Sequence, residues 1–408
     1  MQVWIVNHFA LTPDQPGGTR HIRLAQELKK RGIDVTIVGA GRQHISNRNR
    51  VPEGHVWHRE VVEGIRFHWL CTPTASSNHI SRVWNNFSFA ISVIASRGLS
   101  DLPKPDLIMG TSPDLMSALS AYGVSRFLGI PFVLEIRDIW PLSAVEIGNV
   151  SRNHPYVLIL SLIERFLYRK ADWIVTLLPE AWRHIVPRGG CRNRITWIPN
   201  GVVLEDTPME RASAETDSTD FTLMYAGSHG NANNLDLLLD AANLLKSRGQ
   251  HKNLKIRLVG DGPNKQALME RAAREGLDFI SFEASVPKTD IELVLQEANA
   301  FLLLFHSREI YRYGISANKL FDYLAAARPI IIALEAEYNP VMMSGAGVCI
   351  PPQNPNALAE AITTLKKMSP EERHKFGLRA RTYVTAKHDN KLLGAKLAGV
   401  IENLIGKS

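Results

Sequence analysis

The sequence predicts an α/β chain of two doubly wound domains, each on a mainly parallel sheet, facing each other across a cleft. Three observations lead there. Short apolar runs alternate with stretches of helical period from the first residues onward. The alternation breaks off near residue 200 and begins again near residue 222. Glycine-bearing turns sit where an apolar run hands over to a helix. A length of 408 residues also suits two domains.

The elements follow in order. Val3 to Val6 is a buried strand, LTPDQPGG is a loop, and Thr19 to Arg31 is a helix with Ile22, Leu24, Ala25 and Leu28 on its apolar face. Gly32 ends that helix and Asp34 to Val38 is the next strand. Strands at Leu107–Gly110, Phe132–Ile136 and Trp173–Thr176 interleave with helices at Leu115–Leu128 and Val157–Arg169. Ile198-Pro199-Asn200-Gly201-Val202 is the junction, giving a first domain of 1–200 and a second of 201–388. The polar, acidic stretch Glu205 to Asp220 reads as a surface loop. Strand Thr222–Tyr225, helix Leu235–Lys246, strand Lys255–Val259 and helix Asn264–Glu275 restart the pattern. Apolar runs at Ala300–Phe305 and Pro329–Leu334, then segments at Ala357–Lys367 and Glu371–Tyr383, complete it. In the tail, 389–408, the amphipathic helix Asn390–Ile405 is expected to pack back on the first domain. Such βαβ alternation makes both domains Rossmann-like.

Composition narrows the function. At 45% hydrophobic and 21% charged, the chain is ordinary for a soluble protein. Cys71, Cys191 and Cys349 are odd in number and scattered, which argues for a reducing compartment and against a disulfide framework. MQVWIVNHF enters a strand directly, without the basic region of a secretory signal, and no run of 18 apolar residues predicts a transmembrane helix. Residues 1–200 hold 23 Lys/Arg against 15 Asp/Glu, whereas the rest holds 24 against 25. A one-domain basic excess points to a local anionic partner. With no RNA-binding signature or zinc-finger spacing, a membrane surface or lipid phosphate fits better than nucleic acid.

The most informative stretch is Tyr313 to Pro329, YGISANKLFDYLAAARP. Ser316 is a good N-cap, so Ala317, Asn318 and Lys319 would form a first helical turn with outward N–H groups. That end favours an anion, Lys319 adds a positive charge, and Asp322 lies on the same face. A nucleoside diphosphate suits this set: phosphates on Lys319 and the N–H groups, ribose hydroxyls on Asp322.

Other turns add candidates. Gly17-Gly18 precedes a helix, so it either lets backbone approach a diphosphate or simply turns beside Pro13 and Pro16. Val38-Gly39-Ala40-Gly41-Arg42 reads as a simple turn after the second strand. Glu135, Arg137 and Asp138 cluster at a strand end, with alternation placing Asp138 opposite the other two. They either bind an acceptor or form structural pairs. In Tyr225-Ala226-Gly227-Ser228-His229-Gly230-Asn231, Gly227 permits close approach, and His229 and Asn233 offer hydrogen bonds to phosphate or sugar. Asp261 reads as a cap for the next helix. The segment from Arg82 to Arg97, rich in aromatics around Trp84–Ala95, is either an interfacial membrane helix or a core helix. No HExxH, zinc-type Cys/His cluster, GxSxG, Walker lysine or Asp-x-Asp pair is present, so metal-independent chemistry is expected.

Together the GG loop, IPNGV, YAGSHG, VGDGP and NKLFDYLAAARPII resemble the GT-B glycosyltransferases of family 4, the retaining enzymes. EIRDIWP and SANKLFDYLAA look most like the bacterial O-antigen and capsule subgroup that includes L-fucosamine transferases. The resemblance implies transfer of a sugar, such as N-acetyl-L-fucosamine, from a UDP-linked donor to an undecaprenyl-diphosphate-linked saccharide. It implies a cytoplasmic protein held peripherally at the inner membrane face, with no cofactor beyond the donor. Gly17, Gly18, Gly227, His229, Asn233, Ser316, Asn318, Lys319 and Asp322 would then bind the donor, and Glu135, Arg137 and Asp138 the acceptor. Catalysis would fall to Lys319, Asp138 and Asp322. The chain departs from the family at Gly314, where relatives carry a glutamate, with Glu309 or Arg312 as candidate replacements near the donor sugar. It departs again at His229 and Asn233, where many relatives place an Arg and a Lys. A UDP-sugar epimerase of the same fold, or a non-catalytic partner in a polysaccharide complex, is the alternative.

Overall fold

The computed structural model describes residues 1–42, 49–73, 79–95, 97–204 and 220–406, the side chains at 79, 80 and 82 excepted. The expected loop from Glu205 onward, apart from Asp220, and the side chain of Arg82 lie outside the described residues. The chain divides into two units, Met1–Pro199 with Asn390–Ser408, and Asn200–Asp389. Helices of eight residues or more among the described residues are numbered in chain order. They are α1 Arg20–Lys29, α2 His79–Ile94, α3 Leu115–Leu128, α4 Pro155–Lys170, α5 Leu235–Ser247, α6 Lys265–Glu275, α7 Asn318–Ala325, α8 Pro355–Lys367, α9 Pro370–His388 and α10 Asn390–Ile405.

The first unit is built on β1 Gln2–Val6, β2 Asp34–Ala40, β3 Trp57–Val62, β4 Ile65–Leu70, β5 Leu107–Thr111, β6 Phe132–Ile136, β7 Trp173–Thr176 and β8 Ile195–Trp197. Their order in the sheet is β3-β4-β2-β1-β5-β6-β7-β8. β3 and β4 pair antiparallel, with Val62 opposite Ile65, and the other pairs are parallel. β1 and β5 are buried along their whole length, as expected of strands covered on both faces. Gly39 lies inside β2 rather than in a turn after it, because the strand runs on to Ala40. Leu393, Leu397, Ala398 and Ile401 of α10 join Ile22, Leu24 and Leu28 of α1 in the core of this unit.

The second unit carries β9 Phe221–Ala226, β10 Leu254–Val259, β11 Ile280–Glu283, β12 Ala300–Leu304, β13 Ile330–Ala333 and β14 Gly347–Ile350. The order is β11-β10-β9-β12-β13-β14, all parallel. Strand order therefore reverses between β9 and β12. In doubly wound sheets the crevice beyond the carboxyl ends at this switch point is where ligands bind. The turn after β9 and the loop leading from β12 to α7 both begin there.

Candidate functional site

In the second unit, Lys319 on the first turn of α7 reaches the turn that follows β9. Its Nζ donates to the Tyr225 hydroxyl at 2.6 Å and to Asn233 Oδ1 at 2.7 Å, and lies 4.2 Å from the Tyr225 ring centroid. Burial pushes the ammonium down to about 7. Its recorded partners are neutral oxygens and a π face, so the charge is oriented but not neutralised. Gly227 makes this approach possible, since a Cβ there would stand 2.7 Å from Lys319 Nζ. Gly260 serves the layer beneath, because a Cβ on it would meet the Gly227 carbonyl oxygen at 2.0 Å. Tyr323, one turn along α7, fixes the same segment: its hydroxyl accepts from Ala226 N–H at 2.7 Å and donates to Ala226 O at 3.2 Å.

The helix starts differently from the sequence expectation. Ala317, extended at φ −66° and ψ 127°, holds the N-cap position and no side chain caps the helix. Ser316 is engaged elsewhere: its hydroxyl accepts from Asn200 N–H at 2.9 Å and its carbonyl from the Asn200 side-chain amide. The half-buried Asn318 therefore begins a helix in which Leu320 N–H already donates to the Ala317 carbonyl at 3.1 Å, while the Asn318 and Lys319 N–H groups have no partner among the described residues.

Asp322 is not open in this structure. Lys288 holds both its carboxylate oxygens at 2.6 Å. His229 departs further from expectation. It is wholly buried between the rings of Tyr225 and Phe282, so it presents neither ring nitrogen to solvent. Neither nitrogen has a hydrogen-bond partner among the described residues, and burial, with Lys265 adding, pushes the imidazole down to about 4, into its neutral form. Asp261 does not cap α6, whose cap position is Asn264. It accepts instead from Lys265 Nζ and Ser285 N–H, each at 2.9 Å. Gly314 sits at φ +94°, in the left-handed region that favours glycine, so a glutamate there would be strained. Glu309 and Arg312 are exposed on the short 3₁₀ turn before it, and Arg312 donates to the Tyr313 hydroxyl at 2.7 Å.

In the first unit, Gly17 is exposed and Gly18 half-buried just ahead of α1. Glu135 is fully buried rather than free for an acceptor. Arg20 Nε donates to Oε1 at 2.9 Å, and His21 Nε2 lies 2.6 Å from Oε2. Burial opposes ionisation of Glu135, but Arg20 and then His21 outweigh it and hold the carboxyl well below its usual range. Arg20 also donates to the carbonyls of Ile198 and Pro199, fixing the end of this unit. Because β6 stops at Ile136, strand alternation does not govern Arg137 or Asp138. Among the described residues Arg137 forms no ion pair with either acid. Ser112 shapes the turn, its hydroxyl accepting from Arg137 N–H at 2.8 Å and donating to Asp138 O at 3.2 Å. Asp138 itself is exposed.

Sequence reasoning missed Lys288, Tyr323 and the Arg20–His21–Glu135 network. It also missed His8, whose Nδ1 lies 2.6 Å from Asp114 and whose Nε2 lies 2.7 Å from Asn85 Oδ1. Of these, Tyr323 carried a usable signal, since it lies one turn beyond Lys319 on the same helix.

Residues 17–201 match the family model "Glycosyl transferase 4-like domain", and residues 220–367 match "Glycosyl transferases group 1". A probable glycosyltransferase, WbjE of Pseudomonas aeruginosa, is 21% identical over 302 residues, covering 70% of this chain and 71% of that one. Among solved structures, HepE of Anabaena in complex with UDP-glucose aligns with a TM-score of 0.67 at 12% identity, covering 99% of this chain and 100% of the other. WaaG, a glycosyltransferase involved in lipopolysaccharide biosynthesis, aligns with a TM-score of 0.69 at 16% identity, covering 98% and 99%. Both family models and the doubly wound units agree: the chain is a glycosyltransferase of the GT-B type.

Proposed function

We propose that this glycosyltransferase takes its sugar from a UDP-linked donor bound at α7. The observation that carries the reading is Lys319, a half-buried ammonium held by neutral acceptors beside an uncapped helix start, at the switch point of the second sheet. A diphosphate supplies the negative charge this arrangement leaves unmet. The UDP-glucose complex of HepE supports a nucleotide sugar. Asp322 accepts from the ribose hydroxyls once Lys288 yields.

In the proposed reaction Lys319 and the α7 N–H groups stabilise charge that develops on the leaving diphosphate. The acceptor hydroxyl attacks the anomeric carbon from the face the diphosphate leaves, and a departing phosphate oxygen takes its proton. Configuration is retained, and neither a metal nor a glycosidase-type carboxylate pair is needed. Asp138 orients the acceptor. That acceptor is a saccharide on undecaprenyl diphosphate, the sugar is N-acetyl-L-fucosamine or a related amino sugar, and the protein works peripherally at the cytoplasmic face of a bacterial membrane in O-antigen or capsule synthesis. The basic first 200 residues support an anionic partner.

Screening UDP-sugars against undecaprenyl-diphosphate-linked monosaccharides by mass spectrometry, with EDTA in a parallel set, tests this. A disaccharide product with unchanged yield in EDTA is expected. Conversion of donor without acceptor would mean an epimerase, and UDP-sugar binding without turnover on any acceptor would mean a non-catalytic partner.

A further inference from the structure

We infer that the outward face of α2 and α4 is a docking surface for an anionic lipid bilayer. α2 is neither a pure core helix nor a free one. Its inner face, with Asn85, Phe89, Ala90 and Val93, is buried, and Asn85 is fixed by His8 at 2.7 Å and by the Pro73 carbonyl. Its outer face leaves Trp84 58%, Phe87 44% and Ile91 43% exposed, at helical spacing of three and four residues. α4 repeats the pattern with Leu158 51%, Leu162 69% and Phe166 39% exposed, each four residues from the last.

The two helices flank α3: both pack against it, and Tyr122 of α3 meets Phe166 edge-on at 5.3 Å. Neighbouring exposed apolar stripes of this size mark an interaction surface.

Charge selects the occupant. The α4 stripe continues through exposed Arg165 and Arg169, with Lys170 beside them. α2 contains no Asp or Glu, and α4 contains one, Glu164, which is buried and engaged by His184 at 2.7 Å and by the Tyr168 hydroxyl at 3.0 Å. The face thus offers aromatics, aliphatics and cations, with no exposed carboxylate on either helix. A second copy would set cations against cations, whereas a lipid surface accepts the apolar stripe and pairs the arginines with headgroup phosphates. No helix among the described residues is long and apolar enough to cross a membrane, so contact by this face lies in the interface plane.

This deepens the reading of a lipid-linked acceptor and rests on it for its biological setting, but its test needs neither sugar nor acceptor. Full-length protein is floated with vesicles of phosphatidylcholine plus phosphatidylglycerol, and with phosphatidylcholine alone. Wild type is expected to bind the anionic vesicles, less so as salt rises. A Phe87→Glu/Leu162→Glu variant should lose at least about tenfold in partition, and Arg165→Gln/Arg169→Gln should lose the anionic preference. Melting temperature and UDP affinity, measured on the same preparations, should not move. Equal vesicle binding by wild type and the glutamate variant would overturn the inference, as would equal binding to neutral vesicles. So would a dimer in sedimentation velocity that the glutamate variant abolishes. Wild type that binds UDP but no vesicles would sink the docking surface and leave the donor site standing.

Discussion

At the proposed donor site, the Lys319 ammonium should make donor affinity depend on pH with a definite sign. In the free site burial lowers its pKa from 10.5 to about 7. A bound diphosphate favours the charged form and returns the pKa toward its ordinary value. The diphosphate therefore binds best below pH 7, where Lys319 is already protonated, and must recruit a proton above it. The protonated fraction of the free site falls from roughly a half at pH 7 to roughly one in thirty at pH 8.5, so the dissociation constant for UDP should rise about fifteenfold. Calorimetry in buffers of different ionisation enthalpy should show uptake of about half a proton at pH 7, approaching one at pH 8.5. His229, already neutral down to about 4, does not contribute in this window. Lys319→Met should bind UDP weakly at every pH in the range, with no proton uptake. A wild-type constant that stays flat from pH 7 to 8.5 would refute the reasoning. Without donor the same shift has a folding consequence of opposite sense. The unfolded lysine holds more protons between pH 7 and 10.5, so this residue makes the folded chain more stable as pH rises through that range.

Further predictions concern the groups that support Lys319. Gly227→Ala, at φ +157°, strains the backbone and places a Cβ 2.7 Å from Lys319 Nζ, so it should lower the melting temperature and weaken UDP binding by at least about tenfold; an unaltered constant would mean the close approach is dispensable. Lys288→Met frees both oxygens of Asp322 and should tighten UDP binding by about threefold to tenfold, as read by calorimetry. Weaker binding would show instead that Lys288 itself touches the nucleotide. Glu135→Ala leaves Arg20 and His21 buried without their carboxylate and should cost about 3–5 kcal/mol in urea unfolding. If stability held, the network would not be what fixes the start of α1.

The fold was legible because its central strands are covered on both faces and so read as uninterrupted apolar runs, Phe301–Leu304 and Ile330–Ile332 among them. The edges were not. β3 and β4, a hairpin closed by Glu63 and Gly64 at φ +46° and +78°, carry His58, Arg59 and Glu60 on a half-exposed strand that shows no such run. β8 has three residues and β14 opens on glycine, too little pattern to read.

The candidate site divides in the same way. Lys319 and the glycine turns stood out locally, but their partners lie far along the chain: Tyr225 is 94 residues from Lys319, Asn233 is 86, and Lys288 is 34 from Asp322. Ser316 shows tertiary context overriding a local preference, since Asn200 recruits the hydroxyl that would otherwise have capped α7. Glu135 looked available because a charged residue at a strand end suggests use, and only the return of α1 supplies the Arg and His that occupy it.

In the proposed reaction Lys319 acts on the donor diphosphate during transfer. Its most direct test is the rate of sugar transfer by Lys319→Ala, with the UDP-sugar and acceptor found by screening, beside a thermal melt of the same protein. The expected result is a fall in kcat/KM of more than about tenfold while the melt shows a folded chain. A folded Lys319→Ala protein that transfers sugar at the wild-type rate would contradict it.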